Sequence, residues 1–109
     1  YKDIKKVFQW INEAVFDAKL APFNEITIRD LRPIKCFGQV TQWEWKRKGT
    51  QSFHLEMADK YKNKKEFIST LAHEMVHLYQ MRNAGDSGNH NALFYSFKKP
   101  MSRAGIDMI

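Results

Sequence analysis

Hydrophobic positions recur along this chain with two different periods. Between residues 1 and 20, Ile4, Val7, Phe8, Ile11, Val15 and Ala18 return at spacings of three and four, while Lys2, Lys5, Lys6, Asn12 and Lys19 fall mainly elsewhere. That spacing predicts an amphipathic helix, closed by Pro22. From residue 25 the period shortens to two. Ile26 and Ile28 alternate with Thr27 and Arg29; residues 36–45 carry Phe37, Trp43 and Trp45 at odd positions; residues 52–58 set Phe53, Leu55 and Met57 against His54 and Glu56. Alternation of this kind predicts three short strands. Gly38 marks a bulge or a close backbone approach. With Arg47-Lys48-Gly49-Thr50 as a turn, the last two strands form an antiparallel hairpin.

Helical spacing returns over residues 63–82, where Phe67, Ile68, Leu71, Ala72, Met75, Leu78 and Tyr79 make a broad apolar stripe. The width of the stripe predicts a central helix buried on most sides. Asn63 is placed to cap it, with Glu66 three residues on. The composition of residues 83–89 is that of a loop. A last helical stretch begins near His90, carries Leu93, Phe94 and Phe97, and is interrupted or kinked by Pro100.

Composition narrows the class. The 109 residues suit one domain spanning 1–109, and 43% hydrophobic with 14% aromatic content is enough to bury a core. No apolar run approaches the ~18–20 residues of a membrane span, and the opening residues show no signal-peptide pattern. The single cysteine, Cys36, excludes an internal disulfide and a cysteine zinc ribbon, and a cytoplasmic setting is expected. A net charge of +6 and a pI near 9.5 favour polyanionic partners, nucleic acid first.

The informative string is His73-Glu74-Met75-Val76-His77, an H-E-x-x-H inside a segment already assigned to helix. Histidines four apart project from one face, about 6 Å apart along the axis, and can reach one zinc ion at about 2.0–2.1 Å. Glu74, beside the first histidine, is suited to hold and deprotonate a metal-activated water. Gln80 and Asn83 stand where the metzincin extension requires glycine and histidine, so that class is excluded. Only Asp86 and Asp107 follow His77 as acids, which removes a glutamate ligand from a second helix. The third ligand then comes from His90, at the end of the loop, or from His54, on the polar face of a strand; His90 is favoured because the loop can fold the last helix back on the motif.

These strings resemble the SprT-like zinc metalloproteases, the family that contains the DNA–protein-crosslink protease Spartan. Cys36-Phe37-Gly38 is similar to a Cys-x-Gly that opens the family's hairpin. Residues 71–77, Leu-Ala-His-Glu-Met-Val-His, match its zinc helix. Residues 88–94, Gly-Asn-His-Asn-Ala-Leu-Phe, resemble its Gly-x-His-Gly-x-x-Phe segment, and Met101 to Ile106 echo its closing helix and turn. The resemblance implies a minimal form without the C-terminal zinc ribbon, with His73, His77 and His90 as zinc ligands and Glu74 as catalytic acid/base. Asn91 departs from the family's usual glycine.

The expected architecture is an α+β, zincin-like domain. It comprises an N-terminal helix, a small, mostly antiparallel three-stranded sheet, the HExxH helix and a C-terminal return helix. The expected activity is zinc-dependent peptide hydrolysis, on DNA-associated proteins if the chain is recruited to DNA. The alternative is a non-catalytic nucleic-acid-binding module with a structural zinc. A protein or peptide substrate is expected to add as a strand beside residues 52–58. Tyr61 or Tyr95 is a candidate second oxyanion stabiliser. Trp43 and Trp45 with Lys46, Arg47 and Lys48 offer rings and cations for single-stranded DNA; the competing expectation is that both tryptophans face the core. Lys60, Lys62, Lys64 and Lys65 form a second basic cluster.

Overall fold

A computed structural model describes residues 3–45, 49–85 and 90–106 of the chain. Helix α1 (Ile4–Val15) leads into strand β1 (Glu25–Arg29) and a 3-10 turn at Arg32–Ile34. Strands β2 (Gly38–Trp45) and β3 (Thr50–Ala58) follow, then helix α2 (Lys64–Asn83) and two short helices, α3 (Ala92–Ser96) and α4 (Lys98–Arg103). The class is α+β.

Helix α1 buries Ile4, Phe8 and Ile11, as its periodicity predicts. It ends well before Pro22. Asp17 and Ala18 take left-handed backbone, with φ of 53° and 59°. The Asn12 side chain closes this turn, donating to the Leu20 carbonyl (2.8 Å) and accepting from its N–H (3.0 Å). Ala18 therefore lies exposed beyond the helix.

The sheet order is β1-β3-β2. The hairpin forms in the expected register, from Trp45 opposite Thr50 to Gly38 opposite Met57. Strand β1, however, runs parallel to β3, from Glu25 opposite His54 to Arg29 opposite Ala58. The sheet is thus mixed rather than mostly antiparallel. Alternation has the same period in both kinds of pairing, so only the path of the connection decides direction. The strand with three fully covered side chains, Phe53, Leu55 and Met57, takes the centre.

Two expectations change with this topology. Both edges of β3 are hydrogen-bonded to neighbours, so residues 52–58 cannot accept a substrate strand; the sheet edges belong to β1 and β2. Opposed residues of an antiparallel pair share a face. Gly38 and Val40, opposite Met57 and Leu55, therefore face the core, and Trp43, opposite Ser52, faces away and is 53% exposed. A core-facing Trp43 is excluded. The side chain of Trp45 and residues 46–48 lie outside the described residues.

Helix α2 begins as predicted, the Asn63 side chain accepting from the Glu66 N–H at 2.8 Å. The Glu66 carboxylate accepts from the Lys62 N–H (3.4 Å), the residue before the N-cap, in place of the Asn63 N–H of a capping box. Phe67, Leu71, Ala72, Met75, Val76 and Leu78 are buried in one cluster with the inner face of the sheet, α1, Phe94, Met101 and Ile106. Arg82, near the helix end, donates to the Ala21 and Pro22 carbonyls and lies over the Phe53 ring, holding the helix against the α1–β1 connection. The expected return helix is two short helices broken at Phe97. Pro100 sits in the first turn of α4, where a missing N–H costs no helix bond. Among the described residues, no helix is long and apolar enough to cross a membrane.

Candidate metal centre

The motif lies in the middle of α2, so its two histidines leave the same face one turn apart. Their Nε2 atoms are 3.0 Å from each other. The segment after α2 brings His90 back to the same place, with its Nε2 3.3 Å from that of His77. One ligand atom from each of His73, His77 and His90 falls within 4.8 Å of the others. Ligands about 2.05 Å from one ion at tetrahedral angles stand about 3.3 Å apart, so the His73–His77 and His77–His90 spacings are those of nitrogens that could share one metal ion.

The polarity of these nitrogens suits a cation. The His77 Nδ1 is 2.9 Å from the Gln80 Oε1; with the proton on Nδ1, facing that oxygen, the Nε2 lone pair points at the other two rings. A nitrogen lone pair crowded by two more imidazole nitrogens suits a cation. The three residues fit a divalent metal with affinity for imidazole.

Phe94 forms one wall of the centre. Its ring lies 4.9 Å from that of His73, 5.1 Å from that of His77 and 4.5 Å from that of His90, and it is buried. Packing on one rigid ring limits the rotation of all three imidazoles. Asn91 caps α3 from within this wall, its Oδ1 accepting from the Phe94 N–H at 3.2 Å.

Glu74 is 5% exposed and borders an open cavity of about 190 Å³ lined by Phe37, Gly38, Ser69, Thr70, His73 and Glu74. Burial pushes its carboxyl up to about 7. Gly38 explains how the acid fits: a Cβ there would stand 3.1 Å from Thr70 Cγ2 and 3.3 Å from Glu74 Cγ. The close approach expected of this glycine is that of the first residue of β2 to the motif helix.

His54 lies elsewhere. It sits on the outer face of β3, 2.8 Å from Ser52 Oγ and 3.3 Å from the Glu25 carboxylate, and takes no part in the histidine cluster. Tyr61, a candidate oxyanion stabiliser, uses its hydroxyl within the fold: it donates to the Phe37 carbonyl (2.6 Å) and accepts from the Ala58 N–H (3.0 Å), clamping the residue before β2 to the end of β3. Burial is the main reason its phenol pKa is raised. Tyr95 is exposed, its ring 5.3 Å from that of Phe94.

Sequence reasoning passed over Gln80, which it used only to exclude a metzincin. Gln80 is fully buried on α2, three residues after His77. The signal was present: a polar residue between Tyr79 and Met81, at the helical spacing that puts it on the face of His73 and His77.

No curated relative and no solved structure matches the chain. The model of the SprT-like family matches residues 4–106, which takes in every element from α1 to α4 and all three converging histidines. This chain belongs to the SprT-like family.

Proposed function

We propose that this chain is a zinc-dependent endopeptidase of the HExxH type with a zincin-like active site. The carrying observation is the convergence of three Nε2 atoms beside a buried glutamate that borders an open cavity. His73, His77 and His90 would hold the ion. When bound, zinc would supply Lewis acidity toward water and toward the scissile carbonyl. Glu74 takes the proton of the attacking water and delivers it to the leaving amine, the role its place beside the first histidine suits.

The substrate would lie along β2. This strand is a sheet edge, and its first residue, Gly38, abuts Glu74. An extended peptide added to that edge brings a carbonyl past the cavity mouth, with main-chain hydrogen bonds giving affinity for many sequences.

The test is a pair of variants with metal analysis. The wild-type chain should bind about one zinc and cleave an unfolded protein such as casein. Glu74→Gln should keep the metal and lose about 10²–10⁴-fold in rate. His90→Ala should lose metal and activity together. Full activity in Glu74→Gln would sink the reading.

Single-stranded DNA is a second proposed partner, favoured by the outward-facing Trp43 and the chain's +6 charge. Its affinity should fall steeply with salt and weaken in Trp43→Ala. A flat salt response or no binding would remove it. Strong DNA binding by a chain whose Glu74→Gln variant loses no activity would favour the non-catalytic alternative.

A further inference from the structure

We infer that Gln80 and Asn91 are a positioning pair that sets the tautomer of His77 and ties the His90 segment to the motif helix; this rests on the metal-centre reading above. The backbone N–H of Phe94 can only donate. It donates to Asn91 at 3.2 Å, so the atom it meets is the amide oxygen. The same oxygen lies 3.1 Å from the Gln80 side chain, which must therefore present its NH₂. Gln80 then turns its carbonyl oxygen toward His77, 2.9 Å from Nδ1. An oxygen can only accept, so Nδ1 is protonated and Nε2 keeps its lone pair. A backbone amide at the start of α3 thus dictates, through two side-chain amides, which nitrogen of His77 is left to bind a metal.

The same line of bonds positions His90. Asn91 follows it directly, and the Gln80–Asn91 bond joins that segment to α2 across a sequence separation of 11 residues. A glycine at 91 offers neither the cap nor the acceptor. Gln80 is fully buried, and losing the Asn91 oxygen removes one of the bonds that hold its amide in the orientation His77 meets. Outer-shell partners of this kind typically change metal affinity by 10–100-fold.

Two readouts separate this inference from the reading it rests on. The first needs no metal: long-range ¹⁵N–¹H correlation spectra of the metal-free chain near pH 8 report the tautomer of each imidazole. His77 should carry its proton on Nδ1, and Gln80→Met should shift the population toward Nε2–H. A wild-type His77 protonated on Nε2 overturns the inference even if zinc binds. The second is zinc affinity measured against a chromophoric chelator. Gln80→Met and Asn91→Gly should each weaken it about 10–100-fold, and the double variant should be no more than about twofold weaker than Gln80→Met. Asn91→Asp, which keeps the acceptor oxygen, should bind at least as tightly as wild type. Single effects under threefold, or effects that multiply in the double variant, overturn the pairing. A wild-type chain that binds no zinc overturns the metal-centre reading, and the metal-affinity part of this inference with it.

Discussion

The first residue of β2 and the acid of the motif are in near contact: a Cβ on Gly38 would stand 3.3 Å from Glu74 Cγ. It would also meet Met57 Sδ and Thr70 Cγ2, both at 3.1 Å. The sheet edge and the motif helix therefore meet through a glycine, and the space for the acid is made by a missing side chain. Gly38→Ala should destabilise the fold by about 1–2 kcal/mol through overpacking. It should lower kcat at least several-fold with zinc content unchanged. Calorimetry with peptidase kinetics checks both; a wild-type kcat in the Gly38→Ala variant would show that the close approach is immaterial to Glu74.

Metal should stabilise the fold because the three histidines come from two separated parts of the chain. An ion that binds only the folded state adds about 2.7 kcal/mol at 100 times its Kd. Chelation should lower the melting temperature of the wild type, and zinc should restore it. His90→Ala, which removes the ligand furthest along the chain, should lose most of this response in differential scanning calorimetry.

Tyr61 discriminates between two roles. Its hydroxyl bridges the Phe37 carbonyl and the Ala58 N–H, and its ring stands 5.4 Å from that of Phe67. Tyr61→Phe should cost about 1–2 kcal/mol of stability and less than tenfold in kcat. A loss of 10²–10³ in kcat, the scale for an oxyanion donor, would reassign it to the reaction.

Acid should loosen the sheet through Glu56. This carboxylate, on the central strand, accepts from Arg29 on β1 and from Gln39 on β2 (2.8 Å), so it joins all three strands on the outer face. The Arg29 hydrogen bond, then that of Gln39, holds its pKa below the usual glutamate value. The folded chain therefore binds this proton more weakly than the unfolded chain. The contribution is complete above the unfolded pKa near 4.5 and is lost as pH falls through the lower folded value. Urea unfolding should show the stability gap between wild type and Glu56→Gln closing between about pH 5 and pH 3. A gap unchanged over that range would remove the link.

Local physics made much of this molecule readable before folding. Asn63 and Glu66 mark the start of α2, the alternation of Phe53, Leu55 and Met57 marks the buried face of β3, and the four-residue spacing of His73 and His77 places two imidazoles on one side of a helix. Each of these depends on geometry that repeats within a few residues. Other features depended on how distant segments meet. The parallel direction of β1 and the central place of β3 follow from the path of the connections, which carries no periodic signature. The outward turn of Trp43 was set by its register against Ser52, since a one-residue change in alternation exchanges the two faces. The tautomer of His77 needed Gln80, Asn91 and the Phe94 N–H within hydrogen-bonding reach, and only long-range packing can bring three such groups into line.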